Sequence, residues 1–522
     1  MTARTKELTE AGLAPGRVAA LTSRVFATTG GSVPAVSPLT GETLAQVPVS
    51  SVEDVPAAFA RARKAQVEWA RVPLRERADL LLRLHDLVLE RQRDILDVIQ
   101  WESGKARRHA FEELCDVAVN ARYYAQVAQQ HLLPTRRAGL FPLLTRTTEV
   151  RHPKGVVGVI APWNYPFTMA ISDALPALLA GNAVVTKPST QTALSGLLGA
   201  ELLADAGLPA DVWQVVVGEG RKVGTALIDE ADFVCFTGST ETGRMVAARC
   251  GERLIGCTLE LGGKNPMVIL DDADLDVAAE GAVRGCFSNA GQLCISIERL
   301  YVAAPIHDQF LERFLARVRA MRVGTSFDYG ADMGSLVSRQ QLETVAAHVD
   351  DAVRKGAQLL AGGSARPDLG PCYFEPTVLS GVTPDMDCHS AETFGPLVSV
   401  YRVADEDEAV ALANDSRFGL NASVYGRDVR RASRVAQRLR AGTVNINEAY
   451  AAAWGSIDSP MGGVGDSGLG RRHGADGLLK YTEPQTIAVQ RVPVAPPRGL
   501  SYGTFARGLT TALKAMRKVG HK

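Results

Sequence analysis

The sequence lacks the features that define several large classes of protein. No stretch of its 522 residues approaches the roughly 20 consecutive apolar residues that a membrane-spanning helix needs. Neither sign of charge dominates, because 57 Lys and Arg face 57 Asp and Glu, so no global field favours nucleic acid or an anionic membrane. The N-terminus is charged and has no apolar h-region, which argues against secretion. We therefore expect its partners to be bound at local sites.

The positions of the cysteine and histidine residues also argue against disulfide bonds and a metal site. The eight cysteines include no Cys-x-x-Cys pair, and several lie in apolar runs. This distribution predicts reduced thiols and a cytoplasmic protein rather than disulfides or a zinc site. The nine histidines are scattered, and no cluster of His, Asp and Glu has the spacing of metal ligands, so we predict no metal.

The chain is long enough for two or three domains. From about residue 150, short apolar strand-like runs alternate with helical segments, and a second alternating series covers 264–450. Alternation of this kind predicts an α/β fold with doubly wound parallel sheets. The strand-like runs of the first series are 155–160, 182–186, 213–217 and 233–236, and the helical segments between them are 168–180, 193–206 and 222–229.

The most informative local feature pairs a cysteine with a glutamate. Cys294 follows a small, amide-bearing turn that could present a thiol to a substrate. Glu260 opens the glycine-rich segment Glu-Leu-Gly-Gly-Lys, which could aim a carboxylate at that thiol. A thiol nucleophile with a separate carboxylate base fits covalent oxidation of an aldehyde, in which thiolate attacks, hydride leaves and water releases the acid.

These two motifs occur in order with four others: Ala161-Pro-Trp-Asn-Tyr-Pro-Phe, Phe236-Thr-Gly-Ser, Glu392-Thr-Phe-Gly-Pro and Pro460-Met-Gly-Gly. From about residue 35 to 485 the chain resembles the aldehyde dehydrogenases, and most closely the bacterial NADP-linked succinate-semialdehyde dehydrogenases. The resemblance implies two doubly wound α/β domains and a small β arm that pairs subunits into a homodimer or homotetramer. We predict an N-terminal arm at 1–32, a nucleotide-binding domain at 33–131 and 152–261, a catalytic domain at 262–480, an oligomerisation arm at 132–151 and 481–494, and a tail at 495–522.

The resemblance also assigns the catalytic residues. Cys294 would be the nucleophile and Glu260 the base that activates water, while the Asn164 side chain and the Cys294 backbone N–H would stabilise the negative oxygen. Cys286 and Cys257, which lie close to these motifs, are less clearly buried hydrophobic residues than the other cysteines. Lys264 and Glu392 could assist proton movement or anchor the ribose, or either could belong to a structural ion pair.

A dinucleotide would lie across the first sheet. The segment Gly218-Glu-Gly-Arg-Lys-Val-Gly224 follows a strand and opens a helix, where glycines allow a nucleotide to approach the backbone, although such turns often only join strand to helix. The family places its cofactor against residues that correspond here to Pro162, Trp163, Lys187, Ser189, Thr190, Gly220, Gly224, Phe236, Gly238, Ser239, Leu261, Glu392 and Phe394.

Thr190 predicts NADP as the cofactor, with NAD as the alternative. Members that prefer NAD commonly carry a glutamate at this position, which would repel a 2′-phosphate, whereas a threonine leaves space and offers a hydrogen bond. Arg221 and Lys222 could add positive charge, or they could be ordinary solvated residues at the start of a helix.

The motifs leave more than one class of aldehyde substrate open. Two arginines that hold the distal carboxylate in other succinate-semialdehyde dehydrogenases correspond here to Ser172 and Ser288, so another group would have to bind it. Aromatic residues around the site would also suit medium-chain, fatty or aromatic aldehydes. The candidates for binding the carboxylate are Arg284, Arg122 and Ser456, and the aromatic residues are Tyr165, Phe167, Tyr450 and Trp454.

Further alternatives concern the reaction and the tail. Transfer of the acyl group to coenzyme A is disfavoured by Glu260, because acylating relatives usually lack the hydrolytic glutamate; loss of catalysis is disfavoured because Cys294, Glu260 and Asn164 are all present. In the tail, Phe505, Leu509, Leu513 and Met516 form an apolar stripe beside basic residues. Such a helix can lie on an anionic membrane, although a docked or partner-facing helix is the more usual outcome.

Overall fold

The computed structural model describes residues 13–141 and 144–518, and within them eighteen strands form four sheets. Residues 1–12 of the predicted N-terminal arm and 519–522 of the predicted tail lie outside the described residues. The strands are β1 (Ser32–Val36), β2 (Thr43–Pro48), β3 (Thr135–Arg137), β4 (Thr145–Pro153), β5 (Val156–Ile160), β6 (Ala183–Lys187), β7 (Trp213–Val215), β8 (Phe233–Thr237), β9 (Gly256–Glu260), β10 (Asn265–Ile269), β11 (Ile297–Ala303), β12 (Gln358–Ala361), β13 (Thr377–Ser380), β14 (Leu397–Val403), β15 (Asn421–Tyr425), β16 (Thr443–Ile446), β17 (Gly468–Leu469) and β18 (Thr482–Gln490).

Nineteen α-helices of the described residues surround these sheets. They are α1 (Pro15–Thr22), α2 (Asp54–Trp69), α3 (Leu74–Glu90), α4 (Gln92–Ser103), α5 (Arg107–Leu132), α6 (Pro166–Ile171), α7 (Ala174–Leu179), α8 (Ala193–Asp205), α9 (Thr225–Glu230), α10 (Thr240–Glu252), α11 (Leu275–Phe287), α12 (His307–Ala320), α13 (Arg339–Arg354), α14 (Asp387–Ser390), α15 (Glu406–Asn414), α16 (Val429–Ala436), α17 (Ala451–Gly455), α18 (Gly474–Leu479) and α19 (Tyr502–Lys518). Short turns of other helix types lie at Thr190–Thr192, Gly220–Gly224, Ser288–Gly291 and Gly465–Ser467.

The first large sheet has six strands in the order β17-β9-β8-β5-β6-β7, all parallel except β17. Its central strands are buried on both faces, and Val157, Val184 and Val234 have no exposed surface. Strands covered on both faces are expected to be continuous apolar runs, which is how they are recognised in the sequence. The second large sheet has seven strands in the order β12-β13-β14-β11-β10-β15-β16, parallel except for β12. The predicted α/β class with two parallel sheets is confirmed.

One predicted helix differs in detail. The segment 168–180 consists of two short helices, α6 and α7, that are separated by Ser172 and Asp173. Pro176 falls in the first turn of α7, where its missing N–H removes no intrahelical hydrogen bond. A proline at this position favours the start of a new helix over continuation of the old one.

The predicted arm segments pair with each other. β18 runs antiparallel to β4 from Thr482 opposite Pro153 to Gln490 opposite Thr145, and β3 lies on the other side of β4. After Thr482, every residue of β18 is exposed. The tail forms α19, in which Phe505, Leu509 and Met516 are partly buried and Leu513 is exposed. Within 13–141 and 144–518, no helix is both long and apolar enough to cross a membrane.

Candidate active site

The site lies at the carboxyl ends of three neighbouring parallel strands. β9, β8 and β5 are adjacent in the six-stranded sheet, so the segments that follow them meet at one edge. A cavity of about 240 Å³ opens there. Its lining includes ten predicted site residues: Pro162, Trp163, Asn164, Gly238, Ser239, Glu260, Leu261, Cys294, Glu392 and Phe394. The structure therefore brings the three predicted catalytic residues together.

A strained turn places Cys294 in this cavity. Asn289, Ala290 and Gly291 all have positive φ angles, of 51°, 54° and 70°. At Gly291 an added Cβ would lie 2.0 Å from the carbonyl oxygen of Gly395, so only glycine fits. The Cys294 carbonyl accepts a 2.8 Å hydrogen bond from Asn265 Nδ2, which fixes the residue after the turn.

Burial and negative charge oppose ionisation of the thiol. Burial, with Glu260 and Glu392 nearby, raises the pKa of Cys294 to about 12, while Arg472 and the Ile295 N–H act in the opposite direction. A thiol with a raised pKa is protonated at neutral pH, so its attack on a carbonyl requires removal of a proton.

Glu260 ends β9 and is 6% exposed. Its backbone is fixed by the pairing with Gly468 of β17 and by a 3.0 Å hydrogen bond from Gly238 N–H to its carbonyl. Its side-chain Oε1 has no hydrogen-bond partner among the described residues. Burial raises the pKa of Glu260 to about 7, and Arg472 opposes that rise. A carboxyl group with a pKa near neutrality and a free oxygen is suited to general base catalysis.

Asn164 is held by the turn that carries the nucleophile. Its Nδ2 donates a 3.1 Å hydrogen bond to the carbonyl of Gln292, two residues before Cys294, and its own carbonyl accepts one of 3.0 Å from Asn289 Nδ2. The same carbonyl accepts a 2.7 Å hydrogen bond from Lys105 Nζ. The Asn164 amide is therefore rigidly placed beside the thiol.

The sequence did not single out the charges behind Asn164. Lys105 and Glu113 form a completely buried ion pair, and Glu113 also accepts hydrogen bonds from the backbone N–H groups of Phe167 and Thr168, at 2.8 and 3.1 Å. Together they fix both ends of the segment that contains Asn164. A buried ion pair must satisfy its remaining polar atoms in this way, because desolvation of each charge is costly.

Lys264 belongs to a structural ion pair. Its Nζ bonds to the buried Glu298 carboxylate, which also accepts hydrogen bonds from the N–H groups of Thr393 and Phe394. This favours the structural reading of Lys264. Glu392 Oε1 accepts a 2.7 Å hydrogen bond from Gly263 N–H, and burial together with Glu298 raises the pKa of Glu392 to about 8.

The remaining predicted cofactor residues occupy three places. Gly220, Gly224 and Phe236 line a second cavity, of about 510 Å³, together with Arg221. Lys187 lies next to this cavity, since a Cβ added to Gly224 would be 3.8 Å from Lys187 Cδ. Lys187 is buried, and burial lowers its pKa to about 8. Ser189 accepts a hydrogen bond from Gln191 N–H at the start of a helical turn. Thr190 lines a different cavity, of about 490 Å³.

The two cavities beside the sheet fit a dinucleotide. Phe236 lines the 510 Å³ cavity and Gly238 the 240 Å³ cavity, so the strand end of β8 lies between them. α10 begins immediately afterwards at Thr240, with the Ser239 side chain as its N-cap. The free N–H groups at a helix N-terminus are suited to a pyrophosphate. Among the described residues, no group of His, Cys, Asp and Glu could hold a metal ion.

Known proteins are similar to this chain over most of its length. The model of the aldehyde dehydrogenase family matches residues 26–487. The chain is 53% identical over 481 residues to a Mycolicibacterium smegmatis protein named "putative succinate-semialdehyde dehydrogenase (NADP+)". The aligned region covers 92% of this chain and 93% of that protein. It is 37% identical over 470 residues to 3-sulfolactaldehyde dehydrogenase of Pseudomonas putida, with coverage of 89% and 95%. The crystal structure of Staphylococcus aureus betaine aldehyde dehydrogenase with NAD+ has a TM-score of 0.85 and 31% identity, with coverage of 91% and 95%.

The chain belongs to the aldehyde dehydrogenase family. This membership confirms the resemblance drawn from the motifs and the predicted enzyme class, an oxidoreductase that acts on aldehydes.

Proposed function

We propose that this enzyme oxidises succinate semialdehyde to succinate with NADP, through a thioester on Cys294. The observation that carries the catalytic part is the convergence of Cys294, Glu260 and Asn164 on one cavity. These residues supply the nucleophile, the base and the oxyanion donor that covalent oxidation of an aldehyde requires.

Cys294 acts in the first half of the reaction. The thiol first loses its proton to water. Its sulfur, now a thiolate, forms a bond to the carbonyl carbon, and the electron pair of the C=O bond moves to the oxygen, which becomes negative. The Asn164 amide commits one hydrogen to Gln292, which leaves its second hydrogen for this oxygen. The Cys294 backbone N–H is the other proposed donor. Loss of the hydride to bound NADP would restore the C=O bond and leave the carbon attached to the Cys294 sulfur as a thioester.

Glu260 acts in the second half. Its free Oε1 accepts a proton from a water molecule, the water oxygen attacks the thioester carbon, and the bond between carbon and sulfur breaks. The products are the carboxylic acid and the regenerated thiolate. Transfer to coenzyme A would not need this base, so the position of Glu260 favours hydrolysis.

Local charge and the relatives support NADP. Arg221 lines the cavity next to Lys187, whereas Lys222 pairs with Glu219 at 3.1 Å on the surface. Arg221 is therefore the better candidate for the 2′-phosphate. The M. smegmatis relative is named for NADP, and the S. aureus structure contains NAD+, so dual use stays the alternative.

The substrate assignment has support from Arg284. Ser172 and Ser288 are engaged with protein groups, since Ser172 Oγ donates to Asp116 at 2.6 Å and Ser288 Oγ accepts from Tyr450 at 2.9 Å. Arg284 and Ser288 line another cavity, of about 450 Å³, and Arg284, whose Nη1 lies 3.3 Å from Glu448 Oε2, is the proposed partner of the substrate carboxylate. Arg122 and Ser456 are exposed elsewhere on the surface. Two relatives are named for aldehydes that carry an acidic group.

The proposed assembly is a homodimer or homotetramer in the cytoplasm. The exposed β18 supports the role of the β arm in pairing subunits. The eight unpaired thiols support a reducing compartment.

The catalytic proposal is tested by NADPH formation with a panel of aldehydes, with and without coenzyme A. Cys294→Ala should abolish turnover and retain cofactor binding, while Cys115→Ala serves as a thiol control and should stay active. Glu260→Gln should give one burst of NADPH and then stall at the thioester. Normal turnover by Cys294→Ala would exclude the thioester route, and turnover that requires coenzyme A would make the enzyme an acylating dehydrogenase.

The substrate proposal is tested with Arg284→Gln. The variant should raise KM for succinate semialdehyde about tenfold or more, the scale of one lost charge-assisted hydrogen bond, and leave KM for butanal unchanged. Arg313→Gln removes a positive charge from α12 outside the cavity and should change neither value. A wild type that prefers uncharged or aromatic aldehydes would refute the substrate assignment.

A further inference from the structure

A buried arginine lies beside the catalytic cavity, outside the predicted set of site residues. Arg472 is 3% exposed and lies between β17 and α18. Its backbone exchanges hydrogen bonds of 2.7 and 2.8 Å with Met461. Its Nη1 lies 3.5 Å from the sulfur of Met169, and Met169 lines the cavity with Glu260 and Cys294. The guanidinium is therefore one side chain away from the reacting groups.

This guanidinium is incompletely bonded. Its Nε has no hydrogen-bond partner in the described part of the chain, and its Nη2 lies 3.4 Å from Asp173 Oδ1. Buried charged groups normally satisfy their donors because desolvation is costly. The ion pair with Asp173 therefore does not by itself account for the burial of the Arg472 charge.

The free oxygen of Glu260 lies close to the backbone segment that pairs with Arg472. An added Cβ on Gly462 would lie 3.2 Å from Glu260 Oε1, and Gly462 follows Met461, the residue that pairs with Arg472. β17 begins at Gly468, four residues before Arg472, and Gly468 pairs with Glu260. Two incompletely bonded groups of opposite charge therefore occupy neighbouring positions in the fold.

The largest charge effects on Glu260, Cys294 and Arg472 come from a small set of residues. Those that act on Glu260 come from the loop after α6 and from the segment around α18, and those that act on Cys294 are two carboxylates and one guanidinium. Burial of the neighbouring His473 lowers its pKa far below the usual range, so that imidazole stays neutral. The groups are Arg472, Asp173, Lys480 and Arg471 for Glu260; Glu260, Glu392 and Arg472 for Cys294; and Asp173, Asp116, Glu260 and Cys294 for Arg472.

We propose that Arg472 is a positioning residue whose buried positive charge keeps Glu260 ionised, so that Glu260 can take a proton from water at neutral pH. Arg472 acts through Glu260 rather than on the substrate, and the proposal rests on the assignment of Glu260 as the base. Burial alone would raise the pKa of Glu260 further, and among the surrounding groups Arg472 contributes most to lowering it. Asp173 acts against Arg472, because its negative charge disfavours a second carboxylate nearby.

The test is the pH dependence of thioester hydrolysis, measured after the NADPH burst in single-turnover experiments. Arg472→Met should move the midpoint of the rise in rate upward by about one pH unit, the lower end of the effect of a nearby opposite charge. Asp173→Asn should move it downward. Arg472→Lys, which keeps the charge, should stay near the wild type, and so should Arg77→Met, which removes a buried arginine that bonds to the carbonyls of Trp69 and Ala70.

A structural role alone would lower activity without moving these midpoints in opposite directions. Unchanged midpoints in both Arg472→Met and Asp173→Asn would overturn the inference. If Arg472→Met does not fold, the direction of the shift in Asp173→Asn decides. Glu260→Gln distinguishes the role of Glu260 from that of Arg472. Normal turnover by this variant would show that Glu260 is not the base. If Glu260→Gln stalls at the thioester but the midpoint of Arg472→Met does not move, only the role of Arg472 is refuted.

Discussion

Asn164 shows how much of a single catalytic position depends on distant residues. The amide contacts the nucleophile turn directly, whereas Lys105 reaches its carbonyl from 59 positions away in the sequence. Glu113 then binds both Lys105 and the backbone after Asn164. The geometry of the oxyanion donor is thus set by a buried polar network, and such networks fix a unique arrangement only when every member is bonded.

We predict that Asn164→Ala lowers kcat about 10²–10³-fold, the usual scale for the loss of one oxyanion donor. Cofactor affinity should change little, because the amide acts on the substrate oxygen. The measurement is steady-state NADPH formation together with cofactor titration. Asn414→Ala, in a side chain that bonds to the Arg438 carbonyl at the surface, is the control. An unchanged kcat would exclude Asn164 from the oxyanion site.

Thr190 carries the sequence-based prediction of cofactor choice, although it lines a different cavity from Arg221 and Gly238. We predict that Thr190→Glu moves the preference from NADP toward NAD by about one to a few kcal/mol in relative kcat/KM, because a carboxylate would repel the 2′-phosphate and accept hydrogen bonds from the free ribose hydroxyls. Both cofactors are compared at a fixed aldehyde concentration, and Thr190→Gln provides an uncharged side chain of similar size. Wild-type preference for NAD, or an unchanged ratio in the variant, would contradict the assignment.

Sequence and structure differ in what they reveal about individual residues. Cys294, Glu260 and Asn164 could be predicted because each stands inside a recognisable motif. Lys105, Glu113 and Arg472 could not, because charged residues in helical or glycine-rich segments are usually solvated, and only the folded chain shows that these are buried. Their roles depend on contacts between segments far apart in sequence.

At the scale of elements, alternation of strands and helices was enough to predict the parallel sheet. β5, β6, β7 and β8 lie where the apolar runs predict them, and their order brings the motifs after β5, β8 and β9 to one edge. β17 was not predicted. It has two residues and begins with a glycine, so it carries no periodic signal, yet it closes the sheet against Glu260.

The turn at Ser288–Gly291 is the element that orients the nucleophile. We predict that Gly291→Ala lowers kcat at least tenfold and destabilises the protein by about 1–3 kcal/mol, because the methyl group would clash with Gly395 and the positive φ would be strained. Gly381→Ala is a matched control, since Gly381 has φ +69° beside +70° for Gly291 but has open space around its Cβ. Thermal unfolding and single-turnover rates distinguish the two. Equal effects in both variants would mean that backbone strain alone matters.

The whole molecule combines two large, mostly parallel sheets with a two-stranded sheet and with the three-stranded sheet that the predicted arm segments form. The predicted arm segments do pair, although the sequence could not show that β3 would join them or that β18 would be exposed along almost its full length. An exposed strand at the edge of a sheet is prone to pair with another chain unless something covers it. The proposed partner of this strand is a second copy of the same chain.

Ile487 and Val489 provide the test of this assembly. Two positions apart in β18, they point to the same face of the sheet, and they are 48% and 54% exposed. If that face packs against a neighbouring subunit, Ile487→Lys with Val489→Lys would bury two charges there, and light scattering should show a lower molar mass at equal concentration. Leu254→Lys changes an apolar residue that is 94% exposed after α10, and it should leave the mass unchanged. A wild type that is monomeric, or a double variant with the wild-type mass, would show that this face of β18 is not the subunit contact.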